Sequence, residues 1–289
     1  MNTKLSIVIP AKNEQVSINA LITKLIHLPF DYGVEVIVVN DGSTDKTAQV
    51  AQEAGAKVIT HPYSKGNGAA IKTGARAAKG DVIIFMDADG QHNPDDIPRL
   101  LAKLEQGYDL VVGARKKGSQ ASIGRSLANK FYNKFASYMT GHKIEDLTSG
   151  FRAVKANKFR QFLSLLPNGF SYPTTSTMAF FRAGYSVAYE PIHAAQRVDD
   201  SNSHIHIVKD GIRFLLIIFK VGTLYSPLKL FLPISAAVFM IGLCYYAYTL
   251  VTMGRFTNMS ALMFTTSLII FMVGLVSEQI TALMYKQEE

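Results

Sequence analysis

Two stretches near the C-terminal end carry no charged residue, Leu230 to Val251 and Met259 to Ser277, and each is long enough to cross most or all of a hydrocarbon core as a helix. The short segment Thr252 to Asn258 joins them, so the pair predicts a transmembrane hairpin whose outer ends face one compartment. Lys220, Lys229 and Lys286 flank that hairpin while its loop offers only Arg255, a bias that places the rest of the chain on the cytoplasmic side. Hydrophobic residues make up 48% of the chain and charged residues 18%, and the apolar excess is concentrated here. Glu278 reads either as an interfacial carboxylate near a helix end or as an intramembrane group marking a pathway or partner.

With 289 residues the chain has room for a full globular core ahead of the hairpin. Leu5 to Ile9, Val34 to Val39, Ala56 to Ile59, Asp81 to Met86 and Tyr108 to Val112 are short apolar runs that predict strands. Helical patterns separate them, such as the stripe Ile18, Leu21, Ile22 and Leu25. The first of these runs is too brief for a signal peptide and reads as a strand. Repeated βα units place the first 115 residues in a doubly wound, mostly parallel α/β layer. Beyond it the pattern predicts a helix from Ser119 to about Tyr138, a loop over Glu145 to Arg152 leading to an edge strand, a helix from Thr174 to Arg182 packed over the pocket and a short strand from Tyr185 to Tyr189. The polar run Gln196 to His204 reads as a segment that folds over the site. Ile207 to Lys220 is amphipathic, compatible with a helix in the membrane interface or one packed under the globular domain. The expected layout is a catalytic domain over 1–204, a juxtamembrane segment over 205–229 and a two-helix hairpin over 230–285.

The run ending at Met86 delivers Asp87-Ala88-Asp89-Gly90-Gln91-His92 to the carboxyl edge of the sheet, where open α/β folds bind ligands. Asp87 and Asp89 share a face if the strand continues, and Gly90 permits a sharp turn after them. Such a pair suits a hard divalent ion beside a phosphate. Taken alone, it is equally compatible with an Asx turn. Three further strand ends converge on the same edge: Pro10 to Glu14, Asn40 to Asp45 and Gly113 to Arg115. There Asp41 can accept hydrogen bonds from a base or ribose, Glu14 can orient a nucleotide, and Arg115 can meet phosphate with its planar fork. Asp45 is placed to cap the helix that follows. Lys65 beside Gly66 reads as a phosphate contact or as a solvated loop lysine. The Gly66-Asn67-Gly68 turn has Ile71 where a dinucleotide-binding fingerprint needs its third glycine, so that reading fails. The implied substrate is a nucleoside diphosphate compound held through a divalent ion.

A formal charge of +8 comes without a basic-aromatic tract or a nucleic-acid fold signature, and an anionic membrane face with phosphate-bearing substrates accounts for it. Cys244 is the only cysteine and lies in an apolar run, which excludes an intrachain disulfide and a cysteine zinc site.

The order and spacing of Pro10-Ala11-Lys12-Asn13-Glu14, Asn40-Asp41-Gly42-Ser43-Thr44-Asp45, Lys65-Gly66, Met86 to His92, Gly113-Ala114-Arg115 and Ser149-Gly150-Phe151-Arg152 resemble the family 2 glycosyltransferases of GT-A fold. Within them the pattern resembles the dolichyl-phosphate mannose synthase and bacterial polyprenyl-phosphate glycosyltransferase group, over roughly residues 4 to 204. By that resemblance Pro10, Ala11, Asn13, Glu14, Asp41 and Lys65 hold the donor nucleotide with Asp87, Ala88 and Asp89, and Asp87 lies near the sugar. Asp89 and Gln91 bind Mg²⁺ or Mn²⁺. Arg115, Arg125, Arg152, Arg197 and Ser203 take the acceptor or donor phosphates, so that Asp87, Asp89, Arg115, Arg152 and Arg197 form the catalytic set. Two places depart from the family pattern. Asn40 stands where an aspartate is common, and Ser203-His204 stands where members carry Ser-Lys after a glycine that this chain lacks.

The resemblance implies direct inverting transfer of a hexose from a nucleotide-sugar, with UDP-glucose, GDP-mannose and UDP-N-acetylhexosamine all open, to undecaprenyl or dolichyl phosphate at a bilayer. The acceptor phosphate is already anionic, so the reaction needs little or no general base. Asp146 is placed either as a base or as a helix-cap or arginine-orienting group. A homo-oligomer is compatible with the hairpin. The competing readings are a glycosyltransferase acting on a glycolipid or glycan and a non-catalytic membrane scaffold.

Overall fold

A computed structural model describes residues 5–30, 33–115, 123–169, 172–193, 219–220 and 222–286, without the side chains of 123–129 and 285–286. The chain divides into two compact units, Met1–Ile205 and His206–Glu289.

The first unit is built on a seven-stranded sheet in the order β3-β2-β1-β4-β6-β5-β7. Its strands are β1 (Leu5–Ala11), β2 (Val34–Asn40), β3 (Lys57–Thr60), β4 (Val82–Phe85), β5 (Leu110–Arg115), β6 (Arg152–Lys155) and β7 (Val187–Ile192). All pairings are parallel except those of β6, which runs antiparallel to both β4 and β5. Ile7, Ile9, Val38 and Ile84 are fully buried. Such apolar runs are what a parallel sheet covered by helices requires, and truncating one of these side chains to alanine costs about 2–5 kcal/mol. The helices are α1 (Ile18–Ile26), α2 (Thr47–Glu53), α3 (Asn67–Ala77), α4 (Ile97–Glu105), α5 (Ile123–Thr140), α6 (Ala156–Arg160) and α7 (Tyr172–Arg182), with a 3₁₀ turn over Pro94–Asp96. The predicted stripe of α1 is its buried face. In α3, a Cβ on Gly74 would collide with the Val8 side chain, so this small-residue helix seats directly on β1.

One topological expectation is corrected. The strand after Ser149-Gly150-Phe151 is interior, inserted between β4 and β5. Its sequence neighbours give no sign of this, because only the long return of the chain after β5 brings an antiparallel strand into that gap. The insertion sets the site, since Phe85 pairs with Arg152 and β6 runs backward from there, bringing Gly150 level with Asp87.

Among the described residues of the second unit, two helices, α8 (Pro227–Met253) and α9 (Asn258–Lys286), are long and apolar enough to cross a membrane. Only 11% and 17% of their most apolar windows are buried within the chain, so the apolar side chains face outward as in spans rather than inward as in core helices. Pro227 opens α8 at a position where its missing N–H costs nothing, and Gly254 at φ +64° ends it in the left-handed conformation. The helices pair antiparallel. Ser235 and Ser267 each donate a hydroxyl to the other's carbonyl oxygen, at 2.8 and 3.0 Å. Cβ atoms on Gly242 and Gly274 would lie 2.9 Å from Met263 Cβ and 2.7 Å from Phe231 Cβ, so both glycines mark close approach. Glu278 Oε2 accepts from Ser226 Oγ at 3.3 Å and from the Leu228 N–H at 3.2 Å, placing a carboxylate of α9 at the N-terminus of α8.

Candidate active site

The parallel register aligns Ala11 with Asn40 and carries β1 beyond its last pairing with β4 at Val8 and Phe85. The loops after β1, β2 and β4 therefore open at one edge. The first two are cross-linked: the Asn13 N–H donates to Ser43 Oγ at 3.0 Å, the Thr44 N–H donates to Asn13 Oδ1 at 2.9 Å, and the Glu14 N–H donates to Thr47 Oγ1 at 2.8 Å. Asn13 holds φ +58°, a left-handed conformation that asparagine tolerates better than most residues. The N-cap of α2 is Lys46, one residue past the expected Asp45; Asp45 accepts from the Thr47 N–H at 3.0 Å and from the Gln15 N–H at 3.3 Å, which ties the two loops together just ahead of the helix.

These loops enclose a pocket of about 600 Å³ lined by Pro10, Ala11, Lys12, Glu14, Asp41, Ser64, Gly66, Asn67 and Ala70 on one side. Asp87, Ala88, Asp89, Gln91, Arg115, Thr148, Gly150, Tyr172, Pro173 and Thr174 complete it. The expected residues Pro10, Ala11, Glu14, Asp41, Asp87, Ala88, Asp89, Gln91 and Arg115 are thus brought together. Asn13 and Lys65 support the walls without lining them; the Lys65 N–H donates to Asp41 Oδ1 at 2.8 Å, while its ammonium lies over the Tyr63 ring. Side-chain detail for Arg125, and all of Arg197, Ser203 and His204, lie outside the described residues, as does most of the expected interfacial segment.

Three charged groups define the electrostatics. Burial pushes the Asp87 carboxyl above the usual carboxylate range; His92, Arg115 and Arg152 oppose the shift and Asp89 adds to it. Arg115 is held in a two-pronged pair, Nε to Asp146 Oδ2 at 2.7 Å and a terminal nitrogen to Asp146 Oδ1 at 2.9 Å, with Thr148 Oγ1 accepting at 2.7 Å. Burial alone would raise the Asp146 pKa, but the Arg115 guanidinium outweighs it and holds the carboxyl below the ordinary range. Asp146 therefore orients the arginine. Arg152 differs from expectation, being fully buried and outside the pocket lining. Its guanidinium donates to the Ser149 and Pro173 carbonyls and to the Ser176 and Thr177 hydroxyls, fixing the Ser149-Gly150 turn to the first turn of α7. The bend that carries Gly150 past the acidic pair is anchored by this buried cation.

The helix expected over the pocket from Thr174 begins two residues earlier, at Tyr172, and it does line the pocket; Tyr172 and Pro173, which lie in a poorly periodic stretch, are lining residues that sequence reasoning missed. The Tyr172 hydroxyl donates to the Gly150 carbonyl at 3.0 Å, linking that wall to the turn facing Asp87. At the N-terminus of α3 the Ala69 and Gly68 N–H groups already donate to the Asn168 and Gly169 carbonyls, at 2.9 and 3.2 Å, so these two donors are taken within the protein.

Asp89 and Gln91 present a carboxylate and an amide at the pocket wall beside Asp87. Among the described residues no group of three or more His, Cys, Asp or Glu side chains forms a self-sufficient metal centre. This hard, oxygen-donating set fits a divalent ion that completes its shell from substrate oxygens and water, the habit of Mg²⁺.

Comparison with known proteins gives the same outline. Residues 6–163 match glycosyl transferase family 2, and residues 226–283 match the GtrB C-terminal hairpin. Undecaprenyl-phosphate 4-deoxy-4-formamido-L-arabinose transferase of Proteus mirabilis is 34% identical over 192 residues, covering 59% of this chain and 57% of that relative. The match therefore spans less than two thirds of that transferase's length. Glycosyltransferase AglJ of Haloferax volcanii is 26% identical over 266 residues, covering 87% of this chain and 86% of the relative. Among solved structures, glucosyl-3-phosphoglycerate synthase of Mycobacterium tuberculosis in complex with Mg²⁺ and uridine diphosphate is 25% identical, with a TM-score of 0.59, covering 75% of this chain and 79% of the other.

Proposed function

The chain belongs to glycosyl transferase family 2, and from that premise we propose that it transfers a hexose from a nucleotide-sugar to a polyprenyl phosphate at a membrane surface. The observation that carries this reading is one pocket at the sheet edge in which Asp87, Asp89 and Gln91 share walls with Arg115. An apolar two-helix hairpin in the same chain supports a lipid-borne acceptor, as does the undecaprenyl phosphate in the name of the Proteus mirabilis relative.

The Pro10–Glu14 loop and the Asp41–Gly66 wall take the nucleoside. Asp87 faces the sugar, while Asp89 and Gln91 lie at the diphosphate and hold Mg²⁺ or Mn²⁺. When bound, that cation offsets the charge that gathers on the departing diphosphate. Arg115 is already oriented by Asp146 and Thr148, so it stabilises phosphate charge without reorganising during the reaction. Arg152 acts from beneath by fixing the turn that carries Gly150, and Arg125, Arg197 and Ser203 belong to the acceptor side by motif. An oxygen of the lipid phosphate attacks the anomeric carbon as the bond to the nucleoside diphosphate breaks, inverting that centre. The attacking oxygen is anionic at neutral pH and gives up no proton, so Asp146 is free to serve the arginine alone.

The test is transfer from labelled UDP-glucose, GDP-mannose and UDP-N-acetylhexosamine to polyprenyl phosphate with Mg²⁺ or Mn²⁺, followed by organic extraction. One donor is expected to yield extractable, metal-dependent product. Donor binding without transfer to any lipid phosphate would point to a glycolipid or glycan acceptor, and turnover unchanged after complete metal removal would overturn the assignment of Asp89 and Gln91.

A further inference from the structure

Asp41 contributes to the donor pocket in a way its motif does not disclose. Its side chain is 6% exposed, and its Oδ1 accepts from His61 Nδ1 at 2.7 Å and the Lys65 N–H at 2.8 Å. Oδ2 accepts from Ser64 Oγ at 2.9 Å and the Gly66 N–H at 2.8 Å. A carboxylate has about four acceptor sites, so protein donors occupy the capacity that a nucleobase would need. Gly42 is what lets the chain wrap so tightly: at φ +66°, a Cβ there would lie 2.5 Å from the Ser64 nitrogen.

His61 is the one imidazole in this arrangement and is itself buried. Its backbone N–H donates to the Asn40 carbonyl at 2.9 Å, and its Nε2 meets Thr73 Oγ1 of α3 at 2.9 Å. The ring thereby bridges the end of β2 and the body of α3, with Nδ1 as the donor to the carboxylate. We infer that His61 is a positioning residue for the donor pocket, acting through Asp41 to hold Ser64–Gly66 as the wall that meets the nucleoside. This rests on the nucleotide-sugar reading of the pocket. Asp41 then serves the nucleotide by shaping a wall of backbone and small side chains, and losing the His61 contact weakens ground-state binding more than the chemical step.

Asparagine places an amide nitrogen near the Nδ1 position and glutamine places one near Nε2, so His61→Asn keeps the bond to Asp41 and His61→Gln keeps only the side facing Thr73. The experiment measures UDP and GDP affinity with Mg²⁺ by calorimetry on the full chain in detergent, together with donor KM and kcat. His61→Asn is expected within about twofold of the unmodified protein, and His61→Gln weaker by roughly tenfold with kcat nearly unchanged, the size of one charge-assisted hydrogen bond. A general folding defect would weaken both variants alike. Equal losses, no loss in either, or a fall in kcat at constant KM would overturn the inference alone. Failure of the unmodified protein to bind either nucleotide would overturn the inference together with the reading on which it rests.

Discussion

Asp87 and Gly150 lie so close that a methyl group on Gly150 would sit 2.6 Å from Asp87 Oδ2. The antiparallel register of β6 forces this approach, and glycine is the residue that permits it. The same crowding strips part of the water from the Asp87 carboxyl, which is half-buried at the pocket wall, and that desolvation raises its pKa. The sign of the consequence follows from linkage. A carboxyl whose folded pKa exceeds its unfolded value costs nothing below the unfolded pKa, and the cost grows as pH rises and is complete above the folded value. Asp87→Asn is therefore expected to raise the thermal midpoint at neutral pH by a few degrees, on the order of 2–4 °C per kcal/mol recovered for a domain of this size. It should also lower turnover by at least about a hundredfold, the scale of losing a positioned group at the reacting centre. Scanning calorimetry beside the transfer assay checks both, and a destabilised variant would show that Asp87 is held as a structural anion. The residue types at this edge were legible as a motif, but the raised pKa was not, because burial is set by Gly150 and Arg152 from a distant part of the chain.

The two helices of the hairpin were legible element by element, since absence of charge over a membrane-length run needs no partner to interpret. Their contact face was not. Gly242, Gly274, Ser235 and Ser267 are small residues in apolar runs, and only the pairing of α8 with α9 distinguishes them from their neighbours. In a bilayer the helices gain little from hydrophobicity against one another, so close packing at such positions carries the association. Gly274→Leu is expected to disrupt the approach to Phe231, lowering the unfolding midpoint of the hairpin in detergent while leaving nucleotide binding within about twofold. Replacing Ser235 should cost only about 0.6 kcal/mol by comparison, the usual size of one interhelical hydrogen bond in lipid. Circular dichroism melts with parallel nucleotide titrations separate these outcomes. A Gly274→Leu hairpin that melts like the unmodified one would show that this approach carries no packing energy.

Across the whole molecule, acid stability rests on carboxylates shared between distant elements. Asp109 at the start of β5 is bonded by Lys155 and Lys158 at 2.8 and 2.9 Å and by the Ser186 N–H at 3.0 Å. Burial would raise its pKa, but these donors outweigh it and hold the carboxyl well below the usual range, as others do for Asp41 and Asp146. A folded pKa below the unfolded value, about 3.9 for aspartate, gives stability that is present above that value and lost as pH falls through the folded one. The unmodified protein is therefore expected to exceed Asp109→Asn in stability at neutral pH, with the gap narrowing below about pH 4. Denaturant unfolding across pH checks it, and a gap constant with pH would refute the charge-based origin. The sequence by itself determined the alternation of strands and helices over the first 115 residues, the acidic pair at a strand end and the apolar hairpin. Each of these rests on local periodicity or on residue type at an element's end. Only the tertiary structure decided that β6 is interior, that Arg152 is buried beneath the site and bonded to the Ser149 turn, that Asp41 is saturated by the segment from His61 to Gly66, and that Tyr172 walls the pocket. The physical reason is common to all four. They depend on which backbone donors and which strand fill a gap, and these come from residues far apart along the chain, beyond the reach of any local pattern.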